Sequence, residues 1–219
     1  MDKLVSTFER WVTLANDSLI AEQPVPKVDV RAFPGFDFDS GLWAKAGKLP
    51  PLARMGNPKQ LPPEPTEVKV MHNSDTLYVA FRCPFPGEVE AEKNAPRDKW
   101  PAGDHAEVFI GNERDGYYHF VFNCWANGDK GICDARGTDR TWNTSWEVKT
   151  RMDKGEWRAV VAIPLKSVGL SIVENNRARA LFYRCRPGRD KRNRNVHSSW
   201  GGGQVHSAGS FGELVFSLE

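Results

Sequence analysis

The chain has 219 residues, with 30 Lys and Arg against 28 Asp and Glu, and its formal net charge of +2 gives no electrostatic reason to expect a nucleic-acid or membrane partner. No apolar run is long enough to cross a bilayer as a helix, and a chain of this length can bury a sizeable core as one domain. The 8 Trp, 4 Tyr and 12 Phe are more than such a domain buries comfortably, so some rings are expected at the surface for a purpose.

In chain order, Asp2 to Ile20 carries Leu4, Phe8, Trp11, Val12, Ala15 and Leu19 at helical spacing. This predicts a short N-terminal amphipathic helix that packs on the rest or belongs to an upstream domain. It lacks the basic start, apolar stretch and cleavage site of a signal peptide. Gln23-Pro24-Val25-Pro26 reads as a stiff connector, so the division expected is residues 1–27 for helix and connector and 28–219 for the main domain. The Pro-rich stretch Lys48 to Pro65 reads as an irregular surface excursion.

Beyond it the pattern changes to period two, the mark of strands with one buried face. It recurs in Glu67 to Met71, Leu77 to Cys83, His105 to Ile110, Tyr117 to Cys124, Ser145 to Met152, Glu156 to Leu165, Arg179 to Arg186 and Glu213 to Leu218. Asn73-Ser74-Asp75, Asp115-Gly116 and Asp153-Lys154-Gly155 supply turns. Many short strands with turns between them predict an all-β, antiparallel, jelly-roll-like β-sandwich. Cys83, Cys124, Cys133 and Cys185 lack metal-ligand spacing and read best as buried thiols, although Cys124 and Cys133 flank a hairpin.

The most informative stretch is Arg97 to Asn123, where Trp100 sits among Arg97, Asp98, Lys99, Pro101 and Gly103, a loop too polar to need a core ring. A sugar ring has an apolar face that stacks on an aromatic and a rim of hydroxyls that need donors and acceptors. Trp100 therefore reads either as a sugar platform or as a ring folded over the sandwich edge. Trp200, followed by Gly201-Gly202-Gly203, reads either as a second platform or as part of a turn. Trp43, Trp146 and Trp157 read as packing residues, and so does Trp11; Trp125 and Trp142 flank loops and read either as packing residues or as extensions of a binding surface. Catalysis finds little support. Asp104 and Glu107 are three apart in a strand and point to opposite faces, whereas a glycosidase needs two facing carboxyl groups, and no nucleophile elbow, phosphate loop or zincin motif occurs.

Arg177, Arg179, Arg184, Arg186, Arg189, Lys191, Arg192 and Arg194 form a local basic cluster near Trp200. It reads either as a solvated hairpin tip or as a grip on an acidic glycan, with Arg184 the best single ligand contact, and salt dependence of binding separates the two. Asp129, Asp134 and Asp139 fall short of a calcium ligand set. No cofactor is assigned.

Six pieces in a fixed order carry a resemblance: DFDSGLW at Asp37 to Trp43, LYVAF at Leu77 to Phe81, RDKWPAGDHAEVFI at Arg97 to Ile110, YYHFVFN at Tyr117 to Asn123, Trp157 with AIPL at Ala162 to Leu165, and Gly-x-Leu-x-Phe at Gly212 to Phe216. Over about residues 28 to 219 the chain resembles the family 9 carbohydrate-binding modules and their relatives. The resemblance implies a β-sandwich in which two Trp rings clamp a terminal sugar, at the positions of Trp100 and Trp200, with Asp98 and Glu107 at polar positions of the site. His197 stands where the family often has an amide, and Val160 where relatives commonly carry Glu. Arg97 and His119 complete the candidate contacts. The implied protein is a non-catalytic module, extracellular or periplasmic, that tethers an attached glycoside hydrolase to polysaccharide. The superfamily's haem-binding members supply the alternative, for which Met71, His72 and His119 are the candidate axial ligands, and a protein-interaction domain is a third reading.

Overall fold

The computed structural model describes residues 22–39, 41–94, 99–111, 116–134, 137–188 and 195–219, with the backbone alone for 132–134. Its strands are β1 (Glu22–Val25), β2 (Gly47–Lys48), β3 (Ala53–Arg54), β4 (Glu67–His72), β5 (Thr76–Pro84), β6 (His105–Gly111), β7 (Gly116–Asn123), β8 (Gly128–Asp134), β9 (Gly137–Asp139), β10 (Glu147–Asp153), β11 (Glu156–Pro164), β12 (Arg177–Arg186), β13 (Val196–Ser199) and β14 (Gly212–Phe216). They form a five-stranded sheet in the order β10-β11-β5-β4-β2 and a nine-stranded sheet along β1-β14-β12-β6-β7-β8-β9, with β13 beside β12 and β3 beside β13. The fold is an all-β sandwich, and every strand expected from period-two alternation is present. The turns follow local chemistry: Asn73 Oδ1 accepts from the backbone N–H groups of Asp75 and Thr76, closing the β4–β5 hairpin.

The two sheets meet through alternate residues. Ala106, Val108 and Ile110 of β6 and Phe120 and Phe122 of β7 join one core with Val79 and Phe81 of β5 and Trp157, Ala159 and Val161 of β11. Phe81 meets Phe122 edge-on at 5.4 Å and Phe182 of β12 at 6.1 Å. The residues between these on β6, β7 and β12 consequently lie on the outer face of the larger sheet.

The outer face of the smaller sheet is covered by the chain that precedes it. Val28, Val30, Phe38 and Trp43 pack on Met71, Tyr78, Ala80 and Val160, and buried Lys69 donates to the carbonyls of Phe38, at 2.5 Å, and Trp43, at 3.3 Å. Val160 is thus a packing residue, as are Trp43 and Trp157, both buried.

Three expectations meet a different outcome or lie beyond view. Gln23 to Val25, read as connector, belongs to strand β1, which pairs in parallel with β14, Glu22 opposite Glu213 and Val25 opposite Phe216. An edge strand tolerates Pro24 because one side of it needs no ladder donor. The helix expected over Asp2 to Ile20 lies outside the described residues; those described hold short 3-10 turns and no α-helix. Within Lys48 to Pro65, Leu49 and Leu52 are buried, so part of that excursion belongs to the core. Cys83, Cys124 and Cys185 are buried free thiols, and burial pushes Cys83 and Cys124 up to about 12, which keeps them protonated and unreactive.

Candidate functional site

The outer face of the nine-stranded sheet carries a polar and aromatic stripe across four strands: His119 on β7, His105 and Glu107 on β6, Tyr183 on β12 and His197 on β13. Register sets it. Phe109 is opposite His119, Glu107 opposite Tyr183, and Cys185 opposite both His105 and His197. At its centre the buried Glu107 carboxylate accepts from two rings, His105 Nε2 at 3.0 Å on Oε1 and His119 Nε2 at 2.7 Å on Oε2. Burial alone would raise the Glu107 carboxyl, but the hydrogen bonds and charge of the two histidines outweigh it and hold the group down to about 2. Glu107 is therefore a fixed, ionised acceptor. Farther along, Tyr183 Oη and His197 Nδ1 share a short hydrogen bond beneath stacked rings. Burial raises the phenol and lowers the imidazole, so both are neutral at ordinary pH.

Trp100 stands over this stripe. Its ring is 39% exposed and meets His119 edge-on at 5.1 Å and His105 at 5.9 Å. The chain leading from it to β6 is tied down by backbone. Asp104 N–H donates to Glu90 O at 2.6 Å and Glu92 N–H to Ala102 O at 3.1 Å, while His105 Nδ1 faces Gly103 O at 2.8 Å. Gly103 has φ +85°, and a Cβ there would lie 2.1 Å from Glu90 O, so no other residue fits this crossing. Asn123 and Asn127 hold the other strand of the loop by donating to Glu92 O at 2.8 and 3.1 Å.

A residue that sequence reasoning missed closes the opposite end. His206 is exposed, adopts φ +58°, shares a hydrogen bond of 2.7 Å between its Nδ1 and Tyr117 Oη, and lies 5.5 Å from the His119 ring and 5.6 Å from Phe109. Nothing in its local sequence, Gln204-Val205-His206-Ser207, marks it.

Two of the expected contacts are elsewhere. Trp200 is 3% exposed, packs on Phe182 at 5.8 Å and lies so close over Gly212 that a Cβ there would come within 2.4 Å of the ring. Buried among core residues, it is not a platform for a sugar. Arg184 points to the inner face, 1% exposed, with Nε at 2.9 Å and Nη2 at 2.7 Å from the two Asp104 oxygens and Nη1 on Pro84 O and Thr66 Oγ1. It is a structural ion pair and not a ligand contact. Arg97 and Asp98 lie outside the described residues, as do Arg189, Lys191, Arg192 and Arg194. Of the basic cluster that is described, Arg177 pairs with Glu22 and Glu213, Arg186 with Glu64, and Arg179 reaches backbone carbonyls.

The haem candidates are not brought together. Met71 is buried in the cluster outside the smaller sheet, His72 meets Phe216 edge-on at 5.4 Å, and His119 is committed to Glu107. Among the described residues no group of three His, Cys, Asp or Glu is arranged to hold a metal; Asp129 pairs with Arg140, and Asp139 accepts from Thr141.

Superposition on solved structures identifies the architecture. A family 9 carbohydrate-binding module from Caldicellulosiruptor kristjanssonii in complex with cellotriose matches with a TM-score of 0.63 and 14% identity over 90% of this chain and 94% of that one. The chain has the fold of the family 9 modules. The module from the same organism in complex with glucose matches with a TM-score of 0.60, 14% identity and coverage of 90% and 96%. A putative carbohydrate-binding protein from Bacteroides uniformis ATCC 8492 gives a TM-score of 0.60 and 17% identity over 90% of this chain and 99% of that one. No protein-family model and no curated protein matches the sequence. No described helix is long and apolar enough to cross a membrane.

Proposed function

We propose that this protein is a non-catalytic carbohydrate-binding module whose ligand lies on the outer face of the nine-stranded sheet, with Trp100 as its stacking ring. The observation that carries the reading is Trp100 itself, a half-exposed indole fixed 5.1 to 5.9 Å from the two histidines that hold an ionised Glu107. That pairing of a flat apolar surface with imidazole rings whose orientation the buried carboxylate fixes suits the two sides of a sugar. The solved modules of this fold that hold cellotriose and glucose support an oligosaccharide as the ligand class.

Strands β6, β7, β12 and β13 contribute one carboxylate, Glu107, to the face, and the neighbouring Asp104 turns inward to Arg184. A glycosidase needs two carboxyl groups flanking one bond, so this face supports binding without hydrolysis. Of the basic cluster, the described Arg177, Arg179, Arg184 and Arg186 are engaged by acids or carbonyls, which favours a neutral sugar over an acidic one. A module of this sort would serve an attached glycoside hydrolase outside the cytoplasm, by holding it at polysaccharide.

The test is calorimetric titration of the protein and of Trp100→Ala with cellotriose, glucose and soluble β-glucan. Loss of about 1 to 3 kcal/mol of affinity in the variant, the range for stacking on one ring, with an unchanged melting temperature, is the expected result. Absence of binding by the unaltered protein, or full binding by the variant, overturns the reading.

A further inference from the structure

We propose that His206, and not a second tryptophan, is the wall of the site opposite Trp100, and that it contacts the ligand through Nε2. The inference rests on the sugar-binding reading of the outer face and names a residue that the reading does not require.

Along β6 the outward residues run His105, Glu107, Phe109. The Trp100 ring approaches the His105 end of this row, and the His206 ring approaches the Phe109 end, at 5.6 Å from Phe109 and 6.2 Å from Tyr117. His119 stands between them, 5.1 Å from Trp100 and 5.5 Å from His206, both edge-on. Two exposed rings therefore flank one buried, hydrogen-bonded layer, and the ligand that fits between them presents hydroxyls to ring nitrogen and apolar faces to the rings. Trp200 cannot supply the second wall because its ring is spent against Phe182 and Gly212.

His206 is built for a fixed orientation. Tyr117 Oη occupies Nδ1 at 2.7 Å, which sets the ring and leaves Nε2 as the outward nitrogen. In the neutral ring, if Tyr117 donates its O–H, Nε2 carries the proton and donates to a sugar hydroxyl; if Nδ1 donates to Tyr117 Oη, Nε2 accepts from one. Either arrangement contributes a directional hydrogen bond that a plain aromatic wall would lack. The backbone points the same way. His206 sits at φ +58°, a left-handed conformation that glycine adopts at less cost than a residue with a Cβ. Ser207 to Ser210 close the loop through Ser210 N–H to Ser207 O at 2.8 Å, a backbone bond that needs no side chain at His206. A side chain kept at a strained, exposed position, with one ring edge against Phe109, Tyr117 and His119 and the rest open to solvent, is the arrangement expected of a binding residue.

This separates binding from folding in one variant. His206→Gly keeps the left-handed backbone and removes the ring. Relief of the left-handed backbone partly offsets the lost Tyr117 hydrogen bond and ring contacts, so it should melt within a few degrees of the unaltered protein, yet bind cellotriose about tenfold more weakly, the factor for one lost hydrogen bond and contact. His206→Asn, which also tolerates left-handed φ and restores an amide, should recover part of the affinity. Cellotriose binding by His206→Gly at the unaltered affinity, beside a Trp100→Ala variant that has lost it, overturns this inference and leaves the sugar-binding face standing. Failure of the unaltered protein to bind cellotriose or glucose overturns both.

Discussion

Asp104→Ala leaves the Arg184 guanidinium, 1% exposed, with only Pro84 O and Thr66 Oγ1 as partners after losing two charge-assisted bonds of 2.9 and 2.7 Å. Removing one member of a buried ion pair strands the other charge in a medium that cannot solvate it, which costs about 3 to 5 kcal/mol. For a chain of this size each kcal/mol moves the melting temperature by about 2 to 4 °C, so the variant should melt roughly 6 to 20 °C lower. The paired replacement Arg184→Met with Asp104→Leu removes both charges and keeps apolar volume beside Trp157, whose ring the guanidinium faces at 5.7 Å, and it should recover most of that loss. Urea unfolding followed by circular dichroism measures the stabilities, and calorimetric titration with cellotriose measures affinity in all three proteins. The expected pattern is a stability effect with no change in affinity of the folded double variant. A single variant that loses less than about 1 kcal/mol, or a double variant that is stable but no longer binds, would refute the assignment of Arg184 to the core and restore it as a ligand contact.

Two further outcomes follow from the same geometry. Trp200→Ala opens a cavity between Phe182 and Gly212 and should cost about 3 to 5 kcal/mol in urea unfolding, while cellotriose affinity, measured below the unfolding transition, is retained. The Glu107 carboxyl, held down to about 2 in the fold against an ordinary 4.5, contributes stability that is complete above about pH 4.5 and is lost as pH falls toward 2. The shift amounts to about 3 kcal/mol. Urea midpoints recorded between pH 7 and pH 2.5 should fall less steeply in Glu107→Gln than in the unaltered protein; parallel curves would show that Glu107 is not the group responsible.

Much of the site was legible before any fold was known. The polar company of Trp100 indicated that its ring was not needed in the core, and it is half-exposed above the sheet. Alternation along β6 and β7 put His105, Glu107 and His119 on one side and Ala106, Val108, Phe120 and Phe122 on the other, which is the division observed between the two faces. Alternation also groups Arg184 with Phe182, an inward residue, so its burial was partly readable; its partner Asp104, 80 positions earlier, was not. The misreading of Trp200 has a similar cause. A glycine-rich neighbourhood suggests an open loop, but two of its three glycines serve close packing: a Cβ at Gly202 would fall 2.9 Å from Pro58 N and one at Gly203 2.6 Å from Ser210 O, while the distant Gly212 lies against the Trp200 ring.

The sequence by itself determined the eight strands β4 to β7, β10 to β12 and β14, the turns between several of them and the sorting of their side chains onto two faces, because each of these depends on neighbours within a few residues and on the two-residue period of an extended chain. Which face would be covered, and by what, was decided by the tertiary structure. The chain from Val28 to Trp43 packs on the smaller sheet, while on the larger sheet's outer face Trp100 and His206 approach His119 and Phe211 packs on Phe109. Likewise Pro24 joins the ladder only because β14 offers an edge from the far end of the chain. Burial is a sum over partners brought from distant segments, and no local pattern contains that sum.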